Sequence, residues 1–95
     1  MNKSETKIFL TWFAPNSDKS IGQEEVVGLT TRKIRKWFYL PKDEIVADCY
    51  IVRASQKIHL DPLVKHVIDL NKYDYFVEPC EFVYGKGDSN VQRLH

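Results

Sequence analysis

Apolar and polar positions alternate most regularly in two places. From Thr6 to Phe13, Ile8, Leu10 and Trp12 alternate with Lys7, Phe9, Thr11 and Phe13; from Tyr73 to Val77, the residues Tyr73, Tyr75 and Val77 alternate with Asp74 and Phe76. A period of two belongs to strands, whose successive side chains leave on opposite faces. The spacing predicts two strands with Ile8, Leu10, Trp12, Tyr73, Tyr75 and Val77 turned inward. The second belongs to a β-type stretch from His66 to Val77, HVIDLNKYDYFV, around which the rest of the chain is arranged. That final strand is predicted to continue to Tyr84 with an interruption at Pro79, because proline has no N–H for a ladder and marks a bulge or an edge.

The turn formers Pro15, Asn16, Ser17, Asp18, Ser20 and Gly22 predict a hairpin after the first strand, with a returning strand over Gln23 to Leu29. Thr30 or Thr31 then caps a helix in which Ile34, Trp37 and Phe38 recur at i, i+3 and i+4, and which Pro41 stops. A third strand is predicted from Ile45 to Arg53, with Val46, Tyr50 and Val52 on one face and Ala47, Cys49 and Ile51 on the other. Asp61-Pro62 predicts a short turn of helix before the last strand.

The order strand, strand, helix, strand, strand specifies an α+β fold: a four-stranded antiparallel sheet with one short helix on one face (β-β-α-β-β) and the other face open. Residues 1–95 form a single domain, ordered over about 6–84, with 1–5 and 85–95 as loose tails. By alternation the open face carries Phe9, Phe13, Cys49 and Phe76. Phe76 stands between Asp74 and Glu78, and three phenylalanines on a wet face mark a contact surface.

Composition narrows the class. A chain of 95 residues, 43% hydrophobic and 13% aromatic, builds one core. It has no apolar run of about 18 residues, and MNKSETK is not followed by a signal-peptide core, so the expected compartment is the cytoplasm, with Cys49 and Cys80 as free thiols. A net charge of +1 does not suit a generic nucleic-acid binder. Its distribution is uneven: residues 1–40 hold seven Lys/Arg against four Asp/Glu, whereas 41–84 hold five against eight. The second half therefore presents an acidic surface.

Catalytic chemistry is hard to find. His59, Asp61 and His66 match no zinc spacing, and Cys49 has no flanking thiol-enzyme motif. Gly85-Lys86-Gly87 lacks the context of a phosphate loop, and the doublets Glu24-Glu25 and Asp43-Glu44 point their carboxylates apart on a strand. No catalytic residue, metal or cofactor is expected, and the chain is expected not to be an enzyme. An enzyme centred on Cys49 and the histidines is the weakest alternative.

The strand LTWF (Leu10 to Phe13), Gly22 with the acid that follows, LPKD (Leu40 to Asp43), the Cys49-Tyr50 pair and the IDL…YFV run (Ile68 to Val77) resemble, in order and spacing, the cloacin immunity family over about residues 7 to 88. These are small proteins that neutralise ribosome-cleaving bacteriocins of the cloacin and ribonuclease-colicin type. The resemblance implies a 1:1 complex in which the open sheet face covers a surface beside the toxin's active cleft. Bulk and charge then keep the toxin from the ribosome, and the inhibitor leaves the cell only in that complex. It implies toxin-binding roles for Phe13, Glu24, Asp43, Cys49 and Phe76, with Phe9, Asp74 and Glu78 as further contacts. Nucleic acid, membrane and small molecules are not expected as partners. Two features depart from the family: the near-neutral charge, and Glu78-Pro79-Cys80, which reads as an insertion that makes the last strand bulge. The alternative from another class is a small RNA-binding or ribosome-associated module using Arg32, Lys33, Arg35 and Lys36 together with exposed aromatics.

Overall fold

A computed structural model describes residues 3–84 and 91–94. The chain runs β1 (Lys3–Phe13), β2 (Ser20–Glu25), α1 (Thr31–Trp37), β3 (Tyr50–Ile51), α2 (Ala54–Leu60), a 3-10 turn (Asp61–Leu63), β4 (Asp74–Tyr84) and β5 (Val91–Leu94). The fold is α+β, with an antiparallel sheet in the order β2-β1-β4-β3 and β5 added to β4. The α+β class and the helix after the first hairpin are as predicted, whereas the order of elements differs slightly: α2 separates β3 from β4, and β5 follows β4. The ends differ from expectation: β1 starts at Lys3, inside the segment read as a tail, and 91–94, also read as tail, pair with β4. Residues 1–2, 85–90 and 95 lie outside the described residues. No helix among the described residues is long and apolar enough to cross a membrane.

β1 and β4 form the spine of the sheet, paired from Lys3↔Tyr84 through Phe13↔Asp74 without a slip. Pro79 sits within that ladder opposite Ile8, so the bulge predicted there is absent. The ladder shows why. The Val26 N–H donates to the Ile8 carbonyl (2.8 Å), so Ile8 directs its backbone toward β2, and its partner Pro79 correspondingly directs its nitrogen away from β1. On that far side β3 reaches only to Val77 and β5 begins at Glu81, so among the described residues the nitrogen faces a gap between two strands.

Two other strands differ in extent. β2 occupies Ser20–Glu25 instead of Gln23–Leu29; the chain turns at Gly28 (φ +89°), and Val26 and Leu29 drop into the core. The third strand shrinks from Ile45–Arg53 to Tyr50–Ile51. Its predicted alternation nonetheless holds, because Val46 and Val52 are buried while Ala47, Cys49 and Ile51 are exposed. Likewise the His66–Tyr73 part of the β-type stretch is irregular, closed by a turn in which the Lys72 and Tyr73 N–H groups donate to the Asp69 carbonyl.

α1 forms as predicted. The Thr30 side chain accepts the Lys33 N–H at 3.2 Å, and Ile34 is fully buried. Helix α2 is not predicted by the pattern. Its inward residues are Gln56 and Leu60, at i and i+4, and Ile58 is 71% exposed, so no apolar stripe announces it. Gln56 caps the helix by accepting the Arg53 N–H at 2.9 Å and ties it to α1 by donating to the Trp37 carbonyl at 2.8 Å. The turn predicted at Asp61-Pro62 is the 3-10 continuation of this helix.

The core lies on one face of the sheet. Ile8, Leu10, Tyr75 and Val77 meet Val26, Leu29, Ile34, Val46, Val52, Leu60 and Ile68. Trp12 completes this face: its indole lies over Gly22, where a Cβ would stand 2.3 Å from the ring, and stacks on His66 with centroids 3.8 Å apart. His66 also pairs its Nε2 with the Tyr75 hydroxyl at 2.6 Å, and is thus packed against the core side of the sheet.

Candidate functional site

The register of the ladders fixes which side chains share the other face. Residues opposed in an antiparallel pair project to the same side, so Phe9 and Glu78, Thr11 and Phe76, and Phe13 and Asp74 stand together, with Gln23 and Glu25 added from β2 and Ile51 from β3. No helix covers this side among the described residues, and none of these side chains belongs to the core cluster. The central aromatic feature is an edge-on pair, Phe13 and Phe76, with centroids 5.6 Å apart at 86°. Both rings are half-buried. Ile51, which pairs with Phe76, is 52% exposed and continues the apolar surface.

Beside the rings lies a polar hub on Glu78. Its Oε1 accepts from the Thr11 hydroxyl at 3.1 Å and from Gln23 Nε2 at 3.4 Å, while its Oε2 accepts the Cys49 thiol at 3.1 Å. Thr11 is 5% exposed although it lies on the open face, and this hub satisfies its hydroxyl. The sequence reading placed Thr11 on this face but did not assign it or Gln23 to the site; the signal available was the same alternation that located Phe9 and Phe13.

Cys49 is held as a neutral thiol. Burial pushes its pKa up from 9.0 to about 11, helped by the hydrogen bond and charge of Glu78, then by Cys80 and Asp48. At pH 8 its thiolate population is therefore roughly 100-fold below that of an ordinary cysteine. Alkylation of Cys49 in the native protein by iodoacetamide at pH 8 is expected to be slower than that of free cysteine, by less than the fall in thiolate because a more basic thiolate is the better nucleophile, and Glu78→Gln should speed it. A rate equal to that in denaturant would contradict the Glu78 contact.

Phe13, Cys49 and Phe76 share the open face, with Phe9, Asp74 and Glu78 around them. Glu24 does not. It opposes Leu10 on the core side, and its two carboxylate oxygens accept the Lys65 N–H at 2.7 Å and the His66 N–H at 2.9 Å. The carboxylate ties the loop after the 3-10 turn to β2, and so brings His66 onto Trp12. Glu24→Ala is expected to lower stability by about 1–3 kcal/mol through two orphaned amides, with no direct effect on a ligand of the open face. Urea denaturation and a binding assay on the same variant check both halves. Asp43 is exposed in the turn between α1 and β3 and lies on no strand.

The remaining candidate chemistry disperses. His59 stacks on Trp37 at 4.7 Å, and His66 is engaged with Trp12, Tyr75 and Glu24. No group of three His, Cys, Asp or Glu residues that could hold a metal occurs among the described residues. The basic residues gather away from the open strands, on α1 and the turn after it, where Arg32, Arg35, Lys36 and Lys42 line a cavity of about 380 Å3 with Leu40.

Residues 7–78 match a domain of unknown function, DUF7683, and the chain belongs to that family. No curated protein matches it.

Proposed function

We propose that the chain is an immunity-type inhibitor that binds the ribonuclease domain of a cognate cloacin- or colicin-like toxin in a 1:1 complex through the open sheet face. The observation that carries this reading is the Phe13–Phe76 pair, set on an uncovered sheet between Asp74, Glu78 and Glu25. An apolar centre of aromatic rings within a polar rim is the anatomy of a protein interface, and the carboxylates steer a basic nuclease toward it. Cys49 serves discrimination in this reading. A small thiol fixed to Glu78 leaves room for a bulky partner group, and Cys49→Trp removes that room.

The test uses the product of the gene next to this chain's, which this reading expects to carry a ribonuclease domain. The purified chain is titrated into that domain while ribosomal RNA cleavage is followed, and stoichiometric protection is expected, with an association rate that falls as salt rises. Absence of binding by that domain removes the proposal.

A second reading rests on the cavity of Arg32, Arg35, Lys36 and Lys42. None of the Arg32, Lys36 and Lys42 side chains makes an ion pair or hydrogen bond with another described residue, so their charges are free to meet phosphates. This reading expects RNA binding without a protein partner, lost as salt is raised and reduced by Arg32→Ala or Lys36→Ala. The aromatic face lies on other elements, so the two readings separate by which variants lose binding.

A further inference from the structure

At the start of β4 the open face runs into a cavity of about 300 Å3. It is lined by Ile51, Val52, Leu70, Tyr73, Asp74, Tyr75 and Phe76, of which Ile51, Asp74 and Phe76 stand on the open face. Asp74 Oδ2 accepts a long bond from the Asn16 N–H at 3.4 Å, and its other oxygen has no hydrogen-bond partner among the described residues. The Tyr73 ring already draws a cation, since Lys72 Nζ stands 5.4 Å from its centroid.

The lining restricts what fits. A wholly apolar group would strip water from Asp74 and return nothing to it, and an anion would be repelled. A flexible aliphatic stem ending in a planar cation suits the open-face part of this lining: the stem lies on Ile51, while the head meets the Asp74 carboxylate and the Phe76 ring. Arginine has this form, and its guanidinium stacks on aromatic faces and pairs with carboxylates in a way an ammonium does not. We propose that this slot takes an arginine side chain of the protein partner. The source of the arginine rests on the toxin-binding reading; the chemistry of the slot does not.

Two arms test the two parts separately. In the first, the isolated chain is titrated with Nα-acetyl-arginine amide and, in parallel, with the citrulline and lysine analogues, while amide and aromatic NMR shifts are followed. Saturable shifts at Tyr73, Asp74 and Phe76 are expected with arginine. Affinity should be weaker for citrulline by about threefold, as for an exposed ion pair, and Asp74→Asn should narrow that gap while keeping a folded spectrum. No saturable shift at these residues, or an equal response to citrulline, overturns the slot; an equal response to lysine overturns its assignment to arginine. In the second arm, Asp74→Asn is expected to weaken binding of the neighbouring-gene nuclease domain at least about fivefold. Unchanged affinity there overturns the slot's role in partner recognition. A nuclease domain that binds neither protein defeats the functional reading instead and leaves the first arm's result standing.

Discussion

Phe76→Ala is expected to weaken binding of the cognate ribonuclease domain by about 2 kcal/mol or more, roughly thirtyfold in Kd, with the fold intact. Phe76 is central to the open face, opposite Thr11 on one side and Ile51 on the other, and its ring meets Phe13 edge-on at 5.6 Å. An aromatic that is half-buried in the free protein and lies beside a satisfied polar hub has area left to bury and loses little freedom in doing so. Phe13→Ala should cost a similar amount. The double variant should cost less than the two combined, because each ring supports the other. The fold survives because the neighbouring residues Tyr75 and Val77, 1% and 0% exposed, carry the core contribution of this part of β4. Calorimetric titration alongside a thermal melt separates the two effects. Unchanged affinity in both Phe76→Ala and Cys49→Trp would place the interface on another face.

The largest expected loss of stability is at Leu10. Leu10→Ala should lower unfolding free energy by about 2–5 kcal/mol, the range for truncating a buried leucine. Its side chain is fully buried, and its strand is flanked on both sides, by β2 through Glu24 and by β4 through Val77. Neither neighbour can move in to fill the space without breaking its ladder. Urea unfolding measures the change, and a loss under about 1 kcal/mol would mean that the core closes more easily than this packing allows.

Comparison of Leu10 and Phe76 shows how far alternation reaches. Both were assigned to their faces by counting in twos, and β1 and β4 kept that phase over their length because each pairs along the other without a slip. The third strand kept its phase but not its length. Tyr50 and Ile51 pair in register with β4, and Val52 adds one N–H bond to the Tyr75 carbonyl, before the chain winds into α2; partner availability is not a property of the segment itself. α2 was hidden because a buried glutamine takes an inward position where a helical pattern would show an apolar residue. Pro79 misled in the opposite direction. Its missing donor matters only where a ladder needs one, and the gap between β3 and β5 is a tertiary fact.

The site was legible in the same uneven way. Phe13 and Phe76 were placed on the open face because aromatics stand out on a polar phase, and Cys49 by the alternation of Ala47, Cys49 and Ile51. Glu24 was misplaced by its resemblance to a family contact, although counting from Leu10 across the hairpin turns it to the core side. The Glu78 hub required knowing that Thr11, Gln23 and Cys49, from three separate segments, converge on one carboxylate.

The central claim is that the open face is a protein-binding surface for a ribonuclease toxin. The most direct measurement is an amide chemical-shift map of the isotope-labelled chain titrated with the catalytically inactivated ribonuclease domain that the reading expects beside its gene. The expected result is a slow-exchange 1:1 complex whose perturbations concentrate on Phe9, Thr11 and Phe13 of β1, Gln23 of β2, Cys49 and Ile51, and Asp74, Phe76 and Glu78 of β4. The α1 surface of Arg32, Arg35 and Lys36 should be left unchanged. A spectrum unmoved by the nuclease, or perturbations gathered on α1 when RNA is added instead, would contradict it.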